Sequence, residues 1–277
     1  MPSGPDHVSL DSLAAAIPDG ALLGIPADYS GVAMAATAAL IRRKARDLRL
    51  YCLPYSTLQA ELLVGAGCVA EIEAAAVTLG EQGLPPRFVE AVEQGRIAMR
   101  DSTCPALHAC LQAAEKGVPF MPLRGLIGSD ILANRPDWRL THNPFAPGDP
   151  IVVLPAVSPD VALFHAAKAD SEGNLWIGRR RELATLTHAA KRTLVTVEEI
   201  VPGSFFDREE TAANALPAFY VEALAVAPNG AWPCACPALY EADAEALAGY
   251  AGDARTQAGF DAWLERFLTG LPEPLPA

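Results

Sequence analysis

The stretch from Val161 to Val201 most constrains what this chain can fold into. It begins with a short apolar run, Val161 to Phe164, that is typical of a buried strand, and a cluster of turn-forming residues follows. From about Glu182 to Lys191 the apolar and small residues recur at helical spacing, and Thr193 to Val197 again has the composition of a buried strand. Parallel strands need a long crossover, so this order predicts a parallel sheet covered by a helix.

The rest of the chain repeats this pattern. Buried strands at 21–25 and 48–53 flank a helix that ends near Lys44. We therefore predict an α/β fold, an open and mostly parallel sheet flanked by helices, as a single domain over residues 1–277. The remaining predictions are a strand-like segment at 75–80, a helix at 104–115, a strand entering a glycine-bearing loop of the same sheet at 117–130, an irregular excursion at 134–150, a last strand at 216–226 and an irregular helical tail at 243–268.

Composition excludes several classes of protein. The formal net charge of −12 disfavours binding to nucleic acid or to an anionic membrane surface. We find no segment with the roughly 20 consecutive apolar residues of a membrane helix and no export signal, so we expect a cytoplasmic protein. The six cysteines are scattered, as in a reducing compartment, and the pair Cys234 and Cys236 lacks the spacing of a zinc site. We predict no metal.

Motifs of several common enzyme classes are also missing. The sequence contains no G-x-S-x-G elbow of a serine hydrolase, no phosphate-binding P-loop and no complete G-x-G-x-x-G. The sequence therefore does not indicate a serine hydrolase, a P-loop nucleotide-binding protein or a dinucleotide-binding enzyme.

Three motifs carry a resemblance to a known family. They are the H-x-x-x-A-D-x-x-G-N element from His165 to Asn174, the ending Val197 to Val201, and the G-V-P-F segment from Gly117 to Asp130. With them the chain resembles the alpha-type (A) subunits of the family I coenzyme A transferases, of the glutaconate CoA-transferase type, from about Ile17 to Leu268. It also resembles a related branch, the A-type subunits of the ring-opening CoA hydrolases of steroid catabolism.

The resemblance implies a Rossmann-like sheet of the CoA transferase and NagB type and a catabolic transferase. Such subunits pair with a B subunit, as a heterodimer or heterotetramer, and move CoA between an acyl-CoA and a carboxylic acid. The nucleophilic glutamate would then lie on the partner, and this chain would be catalytic only with it. CoA would be a substrate, and no cofactor is implied.

Two loops of this chain would line the acyl pocket by that resemblance. Where many relatives carry consecutive glycines after the first strand, this chain has Ile25 to Tyr29, and proline has no N–H to stabilise an oxyanion. The predicted loop residues are Pro26, Ala27, Asp28, Tyr29, Ser30, Gly31, Arg124, Gly125, Gly128, Ser129 and Asp130.

No catalytic residue of this chain is certain, and we consider three candidates. His165 lies at a strand end, where active sites are common, although a hydrogen-bonded structural histidine is an alternative. Glu81 is either a cleft carboxylate or a solvated loop residue. Cys104 aligns with the functional glutamate of the ring-opening hydrolases, and a thiol replaces a carboxylate as general base only if its pKa is much lowered.

The signature residues are predicted to have structural roles. The turn-forming residues at 170–174 could hold a metal, but they lack the further oxygen ligands of a calcium loop. Of the neighbouring glutamates at 198 and 199, one should face the interior and be paired there. These residues are Asp170, Gly173, Asn174, Glu198 and Glu199.

Three alternative functions stay open. A subunit of a CoA-thioester or ring-opening hydrolase would pass the acyl group to water. A non-catalytic ligand sensor would bind without turnover, since fold does not determine function. A phosphosugar isomerase is a third, although no basic phosphate site is evident.

Overall fold

The computed structural model describes residues 4–270, and its central feature is a sheet that gathers most of the strands. The strands are β1 (Asp6–His7), β2 (Leu22–Pro26), β3 (Leu48–Leu53), β4 (Val69–Ala74), β5 (Ala98–Asp101), β6 (Phe120–Leu123), β7 (Arg139–His142), β8 (Pro150–Pro155), β9 (Val161–Asp170), β10 (Leu175–Trp176), β11 (Thr193–Val201), β12 (Ala215–Leu216) and β13 (Ala223–Val226). Eight of them pair in parallel in the order β1-β13-β11-β9-β2-β3-β4-β5. The short strands β10 and β12 extend β9 in antiparallel pairing.

Helices connect these strands and cover both faces of the sheet. They are α1 (Leu10–Ala15), α2 (Met34–Arg42), α3 (Leu58–Gly65), α4 (Pro86–Glu93), α5 (Cys104–Glu115), α6 (Ile131–Asn134), α7 (Arg181–Ala189), α8 (Glu209–Ala212), α9 (Ala244–Asp253) and α10 (Gln257–Gly270). In the described residues 4–270 no helix is both long and apolar enough to cross a membrane.

The alternation of β3 shows how the core is divided. Leu50 and Cys52 pack on one face with α1, α2, α3 and α10, whereas Tyr51 and Leu53 pack on the other face with α5. Side chains of a strand alternate between faces, so a fully apolar strand must be covered on both sides. Each buried leucine of this kind contributes about 1.5–3 kcal/mol.

The strand order contains one reversal, between β2 and β9. From β2 the chain adds β3, β4 and β5 in one direction, and it then returns to place β9, β11 and β13 on the other side. Such a switch point opens a crevice at the carboxyl ends of the two strands, where open α/β sheets bind ligands. The loop after β2 and the end of β9 therefore define the place to look for a site.

The predicted α/β class and the mostly parallel sheet are confirmed, and several element boundaries differ. The strands β9 and β11 extend beyond the predicted apolar runs, to Asp170 and Val201. The segment predicted as strand-like at 75–80 is a loop that follows β4, and the predicted last strand is divided into β12 and β13 by a 3₁₀ turn. The tail consists of two regular helices, α9 and α10.

The prediction for 117–130 is wrong about the sheet to which its strand belongs. β6 pairs antiparallel with β8, and β8 pairs with β7, so the three form a separate small sheet. Strand β7 lies within the stretch predicted to be irregular, and β8 begins at its end. Both β6 and β7 are short and largely exposed, and β7 lacks the apolar run from which a buried strand is predicted.

Candidate active-site cleft

The loop between β2 and α2 is fixed to β9 at the switch point. The carbonyl of Gly31 accepts the backbone N–H of His165 at 2.8 Å. Gly31 has φ +97°, and a Cβ added there would lie 2.2 Å from the carbonyl oxygen of His165. Only glycine fits this contact without strain, because it has no Cβ and tolerates positive φ. The loop from Pro26 to Gly31 is thus held against the histidine.

His165 belongs to a buried hydrogen-bond network. Its Nδ1 lies 2.8 Å from the hydroxyl of Thr196 and its Nε2 lies 2.8 Å from Glu198. The carboxylate of Glu198 also accepts the N–H of Asn229 (2.6 Å), the N–H of Gly230 (3.1 Å) and the hydroxyl of Tyr240 (2.5 Å). Both ring nitrogens are engaged and the histidine is only 1% exposed, so His165 supports the cleft wall.

This network controls the charge of Glu198. Burial raises the pKa of Glu198, but the hydrogen bonds from His165 and Tyr240 outweigh it, and the pKa lies below its ordinary value. A carboxylate that accepts several hydrogen bonds is stabilised in its ionised form. Glu198 therefore remains a satisfied anion.

His165, Glu198 and Cys236 are near enough to one another to hold a metal, with ligand atoms within 4.8 Å. Burial raises the pKa of Cys236 to about 12, so the thiol stays protonated. Metal ligation needs a thiolate and free lone pairs, but both ring nitrogens of His165 and the carboxylate of Glu198 already take part in hydrogen bonds. The three residues do not fit a metal centre.

Asp28 begins a 3₁₀ turn directly after β2, on the open side of the switch point. Its Oδ2 accepts the hydroxyl of Thr57 and the thiol of Cys234, the latter at 3.7 Å. Its Oδ1 is buried and has no hydrogen-bond partner among residues 4–270. Burial raises the pKa of Asp28 to about 6, although the bonds from Thr57 and Cys234 oppose the increase. This carboxyl group can exchange a proton near neutral pH.

A cavity of about 460 Å³ lies beside Asp28. Its polar lining includes Tyr55, Thr57 and Thr78, which follow the carboxyl ends of β3 and β4, and the exposed Glu81. The volume falls within the usual range for small-molecule pockets. Of the three catalytic candidates, only Glu81 therefore lies on this cavity.

Cys104 does not lie on the Asp28 cavity. It is the exposed first residue of α5, and the N-cap hydroxyl of Thr103 accepts the N–H of Ala106 at 3.3 Å. It lies close enough to Tyr29 to affect that phenol: burial raises the pKa of Tyr29, and the charges of Glu182 and Cys104 raise it further. Cys104 is thus near the loop but does not line the Asp28 cavity.

The second predicted loop, from Arg124 to Asp130, is not brought to the Asp28 cavity. Arg124 forms an ion pair with Asp149 and lines a groove of about 700 Å³ on the small sheet. The hydroxyl of Ser129 donates to the carbonyl of Leu126 at 3.0 Å. Gly125, Gly128 and Asp130 belong to the same connection between β6 and α6. The expected position at the edge of the parallel sheet is wrong because β6 pairs with β8.

The signature residues close a turn at the end of β9. Asp170 accepts the backbone N–H groups of Glu172, Asn174 and Phe205 at 2.7–2.9 Å. Gly173 has φ +86°, and a Cβ there would lie 2.3 Å from Pro5. Glu199 points outward and pairs with Lys168 at 2.8 Å.

The sequence did not predict the partners of either Asp28 or Glu198. Thr57 and Cys234, which contact Asp28, are 29 and 206 residues away from it in the chain. Tyr240, which donates to Glu198, lies 42 residues after it. The position of Thr57 just beyond a buried strand is the one signal that could have suggested it.

The fold and this cleft define a class of protein. The chain matches solved CoA-transferase structures, and the family model for coenzyme A transferase covers residues 7–227. The chain therefore belongs to the coenzyme A transferase family, as its motifs predicted. The match includes every strand around the switch point.

Within the family the particular relatives are A-type subunits. The chain is 31% identical to the A-type subunit of glutaconate CoA-transferase from Acidaminococcus fermentans over 231 residues, 77% of this chain and 72% of the relative. The structure of that transferase superposes with a TM-score of 0.88 and covers 97% of this chain and 90% of its own, at 25% identity. Identity to the A-type subunit of 3-oxoadipate CoA-transferase from Pseudomonas knackmussii is 32% over 248 residues, 86% of this chain and 84% of the relative.

Other relatives differ in length or in reaction. A variant of the decarboxylase AibA/AibB superposes with a TM-score of 0.85 at 35% identity and covers 96% of this chain and 99% of its own. The chain spans 47% of an uncharacterized Archaeoglobus fulgidus relative, to which it is 36% identical over 215 residues, 76% of this chain.

Proposed function

We propose that this chain is the A-type subunit of a heteromeric CoA transferase. It would move CoA between an acyl-CoA and a carboxylic acid, with no cofactor besides the CoA of the substrate. The observation that carries this proposal is the similarity to two A-type CoA-transferase subunits, in a family match that includes the whole switch point.

The state of the carboxylates supports a nucleophile from outside this chain. Transfer through a covalent acyl intermediate needs an accessible, ionised glutamate. The buried Glu61 and Glu73 and the half-buried Glu198 are all held by hydrogen bonds or ion pairs. Within residues 4–270, Glu81 is the one glutamate that lines the Asp28 cavity, and it is exposed. A partner B subunit would supply the reacting carboxylate opposite Asp28.

The test compares the chain alone with the chain co-expressed with a candidate B subunit. We expect CoA exchange between an acyl-CoA and an added carboxylic acid only when both chains are present. Glu81→Gln tests whether Glu81 acts as the nucleophile in the lone chain, and Glu93→Gln is the control at another exposed glutamate. Exchange by the lone chain that is lost in Glu81→Gln and kept in Glu93→Gln would overturn the two-subunit proposal.

A second candidate is proton-transfer chemistry on a CoA thioester, either hydrolysis or decarboxylation. The pKa of Asp28, raised to about 6, favours it, because transfer of CoA between carboxylates requires no general acid. The 35% identity to a decarboxylase over nearly the full chain supports the decarboxylation branch. Against hydrolysis, Cys104 stands where the ring-opening hydrolases carry their glutamate.

These reactions are distinguished by their products. Formation of a new acyl-CoA from an added carboxylic acid indicates transfer, release of free CoA without an acceptor indicates hydrolysis, and release of CO₂ indicates decarboxylation. Ligand binding without any of the three would instead indicate a sensor. Asp28→Asn should abolish hydrolysis or decarboxylation, whereas CoA transfer should keep most of its rate.

A further inference from the structure

A second cavity lies on the opposite side of the loop that carries Asp28. It has a volume of about 340 Å³, and its walls include Ser30, His165, Trp176, Arg179, Arg180 and Asn214. Asp28 and Ser30 are the two ends of one 3₁₀ turn. The turn therefore separates two cavities, one lined by Asp28 and the other by Ser30.

The charged residues that line this second cavity are two arginines. The side chain of Arg179 makes no hydrogen bond or ion pair within the described part of the chain, and Arg180 donates its Nε–H to the carbonyl of Tyr29 at 3.0 Å. By contrast, Arg135 pairs with the carboxylate of Glu73. The nearby Glu182 accepts the hydroxyl of Ser30 and forms no ion pair with these arginines.

The backbone adds to the positive potential. Helix α7 has nine residues and begins at Arg181, next to the cavity, and its N-cap position has no side-chain cap. The N-terminus of a helix carries a partial positive charge and unpaired N–H groups, which attract anions. The exposed Arg179, the half-buried Arg180 and the N-terminus of α7 thus lie at one cavity.

The Asp28 cavity has the opposite character. The described residues that line it include the acids Asp28 and Glu81 and no lysine, arginine or histidine. An anionic group would be repelled there and attracted to the arginines beyond the turn. The two cavities therefore differ in the charge of their linings.

We propose that the cavity of Arg179 and Arg180 is an anion subsite that binds the negatively charged part of the substrate. This inference rests on the proposed function for the identity of that substrate. The anion is either a second carboxylate on the acyl group or a phosphate of CoA, and both suit the guanidinium fork.

Direct titration of the full chain tests the subsite without turnover. The probes are glutarate, a dicarboxylate, and inorganic pyrophosphate, with butyrate as a monocarboxylate reference. Arg179→Gln should weaken one probe ~10-fold, as expected for losing one charge-assisted hydrogen bond. The matched control is Arg208→Gln, an exposed arginine that does not line the cavity, and it should leave both dissociation constants within about twofold.

The pattern of loss identifies the source of the anion. Weaker glutarate binding assigns the subsite to an acyl carboxylate, and weaker pyrophosphate binding assigns it to CoA. If neither probe binds, or if Arg179→Gln and Arg208→Gln behave alike, the subsite is overturned.

Turnover with the partner chain provides a separate readout. For an acyl carboxylate, Arg179→Gln should raise KM for glutaryl-CoA ~10-fold and leave KM for butyryl-CoA unchanged. For a CoA phosphate, KM should rise for both. A chain pair that shows no CoA transfer would refute the proposed function, while the titrations would still decide the subsite.

Discussion

Asp28 and Glu198 are carboxylates at the same edge of the sheet, yet their surroundings shift the two pKa values in opposite directions. Glu198 accepts four donors, and its pKa is lowered even though burial opposes this. Asp28 has one buried oxygen without a partner in residues 4–270, and burial raises its pKa. The number of donors decides between the two outcomes.

The raised pKa of Asp28 predicts a stability that falls with rising pH. The ordinary value is 3.8 and the folded value is about 6, so between them the folded chain keeps a proton that the unfolded chain loses. The free energy of unfolding should therefore decrease by about 2 kcal/mol from pH 4 to pH 6, relative to Asp28→Asn. Urea unfolding of both proteins across that range measures it. Parallel pH profiles would contradict the assignment.

Glu198 and its neighbour Glu199 form a matched pair for mutation. Glu198→Gln places an amide against N–H donors and leaves His165 without a carboxylate, which should cost about 2–3 kcal/mol at pH 7. Glu199→Gln, at an exposed pair with Lys168, should change the free energy of unfolding by less than about 0.5 kcal/mol. Equal decreases in the free energy of unfolding, measured by chemical denaturation, would show that the Glu198 network stabilises the fold no more than the exposed Glu199 pair does.

The pH dependence of Glu198 has the opposite sign to that of Asp28. Because its folded pKa lies below the ordinary value of 4.5, its contribution is complete above that pH and is lost as the pH falls below it. Strand alternation alone requires that one of Glu198 and Glu199 face inward. Which of the two faces inward depends on distant parts of the chain that sequence patterns do not connect. The same is true of the contacts of Asp28 with Thr57 and Cys234.

At the scale of elements, the strands that are buried on both faces could be predicted and the exposed ones could not. β2, β3, β9 and β11 carry long apolar runs, and each was recognised from them. β7 consists of four exposed residues, so its sequence carries no signal of burial. The apolar residues of β6 were recognised, but a short strand does not reveal whether its neighbour is parallel or antiparallel.

The anchoring of the Asp28 loop to β9 predicts a sharp difference between two glycines. Gly31→Ala would place a Cβ 2.2 Å from the carbonyl oxygen of His165 at φ +97°, and should cost about 2–4 kcal/mol because the backbone must move. Gly20→Ala has a similar φ of +77° with nothing within 4 Å, and should cost about 1 kcal/mol. Thermal unfolding compares them. A loss at Gly31 no larger than that at Gly20 would argue against the anchor.

At the scale of the whole molecule, the strand order explains both what was predictable and what was not. The motifs predicted the family, and the strand–helix–strand order predicted the sheet class. The central pairing of β2 with β9 joins segments more than 130 residues apart. Every central strand is apolar on both faces, so many pairings would bury similar surface, and only the assembled packing selects one.

The small sheet and the main sheet share one apolar cluster, which predicts that they unfold together. Val152 and Leu154 of β8 pack in the same cluster as Tyr51 of β3 and Leu107 of α5. Val152→Ala should therefore lower the Tm of the entire chain, by about 4–8 °C for a loss near 2 kcal/mol.

Calorimetry should show a single transition whose van't Hoff enthalpy equals the calorimetric enthalpy. Val118→Ala is the control, because that valine is 39% exposed, and it should leave Tm nearly unchanged. A separate early transition that alone responds to Val152→Ala would mean that the small sheet is an independent unit. Because the shared cluster contains residues from both sheets and from the helix between them, we expect the single-domain behaviour that the sequence predicted.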